Sequence, residues 1–201
     1  AVGEGLRDAL AQAGGAGAAG DLTVDGYGSP RFSPAFLEVL REANVRMRVF
    51  DPRRPLLGLR TNLFRRLHRK VVVVDGARAF VGGINFSADH LADFGAQAKQ
   101  DYSIEIEGPA VADIRRAGRA LIDTAPRGWR RPARSRHPPE PVPVARGPAR
   151  VAFVTRDNTE HTDDIEHHYR LAIRAARRRI VIANAYFLPG YRLLKALRDA
   201  A

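Results

Sequence analysis

The residues best suited to chemistry stand together in HRKVVVVDGARAFVGGIN, residues 68–85. His68 and Lys70 are two apart, so on a strand both side chains leave the same face. Such a pair is awkward in a core, because the cation disfavours protonation of the imidazole and both groups need partners. It suits an anion. A neutral imidazole offers a basic or nucleophilic nitrogen, and the ammonium neutralises a phosphate oxygen. Gly82 and Gly83 let backbone approach a ligand closely. The Asn85 amide can donate to a phosphate oxygen. Asp75 has a plainer role open to it, since an Asp-Gly turn uses the carboxylate to cap backbone N–H groups.

The elements around these residues follow from pattern. The four valines 71–74 read as a buried strand. Asp75-Gly76 is a turn signal, and AFVGGINF is the returning strand. DYSIEIEGP (101–109) alternates and stops at Gly-Pro, and AVADIRRAGRALID reads as an amphipathic helix. Upstream, DLTVDGYGSP reads as a strand ending in a Gly-rich turn, and VRMRVF (45–50) as a strand with one buried face. Between them Ser33 and Pro34 open a helix as N-cap and first helical residue, with Phe36, Leu37 and Leu40 on one side. GLRDAL suggests a turn or two of helix, but GGAGAAG (14–20) is low in complexity and poor in packing material.

Residues 126–150 hold seven prolines and seven arginines against one acid, Glu140, which is the composition of a linker. The chain then restarts. VAFVT and IVIANAYF read as strands, and DDIEHHYRLAIRAARRR and YRLLKALRDAA as helices, the last cut off by the chain end. The expected domains are 1–125, with 1–20 atypical, a linker over 126–149, and a further piece over 150–201.

Bulk properties set the limits. The 201 residues carry 33 Lys+Arg against 22 Asp+Glu, a net charge of +11 that favours anionic partners. Roughly half of it lies in the linker, and most of the basic residues are arginine, so charge alone does not assign nucleic-acid binding. With no cysteine, disulfides, thiolate catalysis and Cys-based metal sites are excluded, and a reducing compartment is the easier reading. No apolar run is long enough to span a bilayer and no signal peptide opens the chain. His161, His167 and His168 lack a standard ligand spacing, so no metal and no cofactor are expected. His90 and His137 read as surface residues. Tyr186, Phe187 and Tyr191 fit core packing at a strand end, or the lining of a pocket.

The spacing His-x-Lys-(x4)-Asp-(x6)-Gly-Gly-x-Asn fixes six positions over eighteen residues and resembles the HKD signature of the phospholipase D superfamily. The flanks, VDGYGSPRFSPAFLEVLREANVRMRVFDP before it and DNTEHTDDIEHHYRLAIRAARRRIVIANAYFLPGYRLLKALRDAA after it, resemble bacterial cardiolipin synthases without membrane-spanning segments. The resemblance runs from about Asp21 to the end, apart from the Arg/Pro linker. It implies an α/β fold: a phospholipase D-like mixed β-sheet flanked by helices, one nearly complete half plus the beginning of a second.

It also implies a mechanism. Two such motifs meet at one site. One histidine attacks phosphorus to give a phosphohistidine, and the other protonates the leaving alkoxide and then activates the acceptor, with no metal. His68 takes one of these roles, Lys70 and Asn85 hold phosphate beside Gly82 and Gly83, and Asp75 is the motif acid. Asp101 is the downstream acid that orients the histidine, or else a strand-edge carboxylate. Tyr186 and Phe187 would line an acyl-chain or head-group pocket. The partners implied are an anionic phospholipid, with phosphatidylglycerol as acceptor, and the cytoplasmic face of the inner membrane, held peripherally.

One departure stands out: these residues contain no second His-x-Lys pair. That leaves a phosphatidyltransferase half that is inactive alone, its partner the other half. Alternatively, a homodimeric single-motif phosphodiesterase or nuclease pairs two copies of the chain, for which the basic charge would suit nucleic acid. A third reading is a module that binds anionic lipid without turnover.

Overall fold

The computed structural model describes residues 2–29, 31–51, 66–123, 144–157, 159–184 and 187–201. The chain divides into two compact units, Ala1–Arg150 and Val151–Ala201. Most of the expected linker, residues 126–143, lies outside the described residues, as does Tyr186.

The first unit opens with α1 (Val2–Gly15), longer than the short helix its sequence suggests. The glycines that looked poor in packing material have a packing use. A Cβ on Gly14 would run into the backbone of Ala43, and one on Gly20 would stand 3.1 Å from Val45. They allow α1 to lie tight against the Ala43 backbone and β1 against the Val45 side chain.

β1 (Gly20–Asp25) and β2 (Val45–Phe50) pair in parallel, Gly20 opposite Val45 and Asp25 opposite Phe50. Parallel pairing needs a crossover, and α2 (Pro34–Glu42) supplies it. Its start is capped as the sequence predicts, with the Ser33 hydroxyl accepting from Phe36 N at 3.2 Å. Leu40 from the expected face is buried at 1% exposure, whereas Leu37 is open at 42%.

β3 (Lys70–Val74), β4 (Arg78–Gly82) and β5 (Ser103–Glu107) form an antiparallel sheet in chain order. The expected α/β fold with sheet strands flanked by helices is present, and among the described residues the strands form two small sheets, one parallel and one antiparallel. The β3–β4 turn is built by Asp75 at φ 52° and Gly76 at φ 64°, with Ala77 N donating to Val74 O at 3.1 Å. Two successive left-handed residues make the turn whose twist matches a hairpin, which is why Asp-Gly sits there.

α3 (Ala110–Asp123) packs against both sheets and buries Val111, Ile114 and Ile122. Its end is held by β2. Arg48 donates to the Leu121 and Ile122 carbonyls, the latter at 3.1 Å, and Arg46 pairs with Asp123 at 3.2 Å and with Asp21 at 2.8 Å. The alternating arginines of VRMRVF thus satisfy carbonyls that a helix end leaves open and place positive charge at its negative pole.

The second unit holds α4 (Asp164–Ala175) and α5 (Tyr191–Ala200), packed together over Ile173 and Ala196. The expected strands at 151–155 and 180–187 do not form a ladder among the described residues. A strand is stabilised by pairing across to another, and neither finds a partner within this unit. Val181 is left 78% exposed. No helix among the described residues is long and apolar enough to cross a membrane.

Candidate active site

Lys70 opens β3, and His68 stands two residues ahead of it in the irregular segment that leads into the strand. The Lys70 ammonium lies 3.1 Å from both ring nitrogens of His68 and donates to the His68 carbonyl at 3.1 Å. A neutral imidazole has one nitrogen that can accept from the ammonium, whereas an imidazolium has none. The electrostatics agree. Partial burial first, then the Lys70 and Arg66 charges, hold the imidazole below the ordinary histidine value, while the Asp25 carboxylate pulls it up. Burial also lowers Lys70, with Arg66 adding to it and Asp101 and Asp25 opposing.

β4 brings up the opposite wall. Gly82 faces Lys70 across the β3–β4 ladder and Ser103 across the β4–β5 ladder. A Cβ on Gly82 would collide with the Tyr102 carbonyl, and one on Gly83 with the Asp101 carboxylate. Gly83 N donates to Tyr102 O at 2.9 Å. Both glycines are therefore required by close approach, Gly82 to backbone and Gly83 to a charged side chain. An open cleft of about 210 Å3 lies here, lined by Lys70, Gly82, Asn85 and Ser103 beside the apolar Val72, Phe80, Ile84 and Phe86.

The structure thus gathers His68, Lys70, Gly82, Gly83, Asn85 and Asp101 at one end of the antiparallel sheet. It leaves Asp75 out. That residue is the hairpin turn at the far end of β3, about 16 Å along the strand from Lys70 at the usual rise per residue. Asp101 comes to Lys70 rather than to the imidazole: its Oδ1 accepts from Tyr102 N at 2.7 Å, and no hydrogen bond joins it to His68. Phe187 belongs to the second unit and is 43% exposed.

Two neighbours, Asp25 and Arg66, were not singled out from sequence, and a third, His90, was expected on the surface but is part-buried. Asp25 ends β1, Arg66 precedes His68 by two, and His90 meets the Asn85 amide at 3.3 Å with its own Nδ1 buried and unpartnered. The signal for Arg66 was present, because Arg66, His68 and Lys70 continue one alternation. Nothing local marks Asp25, which reaches this site from the other sheet. Three further histidines sit on or beside α4: His161 Nδ1 contacts Asp164 at 2.7 Å, and the His167 and His168 rings meet edge to face, while His137 lies outside the described residues.

No family model matches the chain. It is 50% identical over 206 residues to cardiolipin synthase B of Salmonella typhimurium strain LT2, and 47% identical over 203 residues to cardiolipin synthase B of Escherichia coli K12. Each match covers 100% of this chain and 48% of the relative. The major cardiolipin synthase ClsA of Bacillus subtilis 168 is 33% identical over 211 residues, covering 99% of this chain and 41% of its own length. The chain spans about half the length of the curated relatives it matches. It is therefore a homologue, from end to end, of a stretch of the bacterial cardiolipin synthases equal to about half of their length.

Proposed function

We propose that the chain supplies one catalytic half of a phospholipase D-type phosphatidyltransferase that makes cardiolipin. The observation that carries this is the His68 imidazole held against the Lys70 ammonium, with glycine backbone and the Asn85 amide beside them. A neutral ring nitrogen is a competent nucleophile toward phosphorus. The ammonium and the amide supply the charge and hydrogen bonds that a pentacoordinate phosphate demands.

The step balances as follows. A His68 ring nitrogen bonds to the phosphorus of a phospholipid donor, and the bond from phosphorus to the head-group oxygen breaks. A second acid, from the other half or from another copy of the chain, protonates that oxygen. The same group then takes the proton of a phosphatidylglycerol hydroxyl, whose oxygen displaces the imidazole and leaves cardiolipin. Lys70 stabilises phosphate charge in both steps, and Asp101 keeps Lys70 ionised. The cleft's apolar wall suits the glycerol and acyl portion of a lipid, and the reading carries with it a peripheral place at the cytoplasmic face of the inner membrane. Asn85 is held toward the site by His90.

The test is a trapping experiment. The chain is joined to the remainder of a synthase-length protein, mixed with phosphatidylglycerol vesicles and quenched rapidly, and its peptides are weighed. A phosphatidyl adduct on His68 that disappears in His68→Gln is expected. An adduct confined to other residues contradicts the assignment of His68 as nucleophile.

A further inference from the structure

The carboxylate tied to the His68 segment belongs to neither motif residue. Asp25, the last residue of β1, has a side chain only 11% exposed. Its Oδ1 accepts from Leu67 N at 2.9 Å, the amide just before His68. Its Oδ2 accepts from Gly28 N at 2.7 Å and lies 3.5 Å from Arg66 Nε. Arg66 in turn stacks over the Tyr27 ring at 4.7 Å. Gly28 suits this arrangement, because a Cβ there would stand 3.0 Å from Arg66 Nη2 and 3.1 Å from Asp25 Oδ2 and press on both. One carboxylate thus fixes a turn of the parallel pair to the lead-in of the antiparallel sheet. The lead-in has no ladder of its own to fix it.

We infer that Asp25 is a positioning residue for His68: it holds the Leu67 amide and occupies Arg66, so that the imidazole stands at the phosphate site beside a cation that is already paired. Without the carboxylate the 66–68 segment loses its anchor, and Arg66 presents an uncompensated charge to the imidazole. The charged groups facing His68 are Lys70 from β3, Arg66 from the lead-in and Asp25 from β1, with Arg66 and Asp25 acting in opposite senses. The two have separable signatures for that reason. The catalytic consequence rests on the phosphatidyl-transfer reading, but the positioning itself does not.

The experiment titrates His68 by NMR in the intact 201-residue chain, in wild type, Asp25→Asn, Arg66→Gln and the double variant. Asp25→Asn should lower the pH at which the His68 ring protonates, Arg66→Gln should raise it, and the double variant should return toward wild type. A His68 titration that Asp25→Asn leaves unchanged, with Arg66 present or replaced, overturns the proposal. If Asp25→Asn does not fold, amide exchange at Leu67 in the wild-type chain decides: protection is expected, and exchange as fast as in an unstructured peptide overturns the positioning. In the synthase-length protein, Asp25→Asn should reduce kcat by roughly tenfold, the size of effect expected from slight misplacement of a reacting group, with KM little changed. An equal kcat overturns the catalytic part. If no variant, wild type included, turns over lipid, the transfer reading fails while the titrations still judge the positioning.

Discussion

In the proposed transfer His68 is the nucleophile, and its neighbours favour the neutral ring which that role needs. Partial burial, Lys70 and Arg66 all disfavour its protonation. If attack needs the neutral ring, the acid limb of the kcat/KM profile lies below the ordinary histidine value of about 6.5. A limb above that value in a pH–rate series contradicts the role. The same shift has a stability sign. The folded value lies below the unfolded one, so the unfolded chain binds the proton more readily, and His68 makes stability rise with pH across the window between the two. Denaturant melts of wild type and His68→Gln across that window should differ in slope in this direction. The paired glycines separate fold from function. Gly82→Ala presses on Tyr102 backbone and should lower the melting temperature markedly. Gly83→Ala presses on the Asp101 carboxylate, which can swing away, and should cost activity more than stability. Comparable melting temperatures for the two variants would count against this division.

At the scale of elements, the hairpin decides what Asp75 does. It sits in a left-handed conformation that asparagine adopts as readily as aspartate. Asp75→Asn should therefore keep both fold and turnover, whereas a motif acid would not survive the change. Gly76→Ala puts a side chain at φ 64° in a buried position and should cost about 1 kcal/mol or more in a denaturant melt. Below the sheet, Ile114 is fully buried on α3, and Ile114→Ala should cost about 2–5 kcal/mol by the same measurement. These elements were legible in the sequence because their signals are local: the valine run, the Asp-Gly turn, the Ser33–Pro34 helix start and the apolar stripe of α3. The strands expected at 151–155 and 180–187 form no ladder among the described residues, for the opposite reason. Alternation and β-branching state a preference, but a ladder also needs a second strand at the right distance.

At the scale of the whole molecule, the site joins residues far apart in sequence. His68, Lys70, Gly82, Gly83 and Asn85 could be grouped beforehand, since one hairpin brings them together. Asp25 could not, because its place beside Leu67 depends on how the parallel pair meets the antiparallel sheet. The chain matches its relatives over about half of their length, and it contains one His-x-Lys pair where the proposed mechanism uses two acid–base groups. The central claim is that His68 performs phosphatidyl transfer within a composite site. The most direct test is cardiolipin formation from phosphatidylglycerol vesicles in the presence of a chelator. It compares this chain alone, a synthase-length protein containing it, and that protein with His68→Ala. The account predicts cardiolipin from the longer wild-type protein only, with turnover lost by several orders of magnitude in the variant. Undiminished turnover by His68→Ala would contradict it.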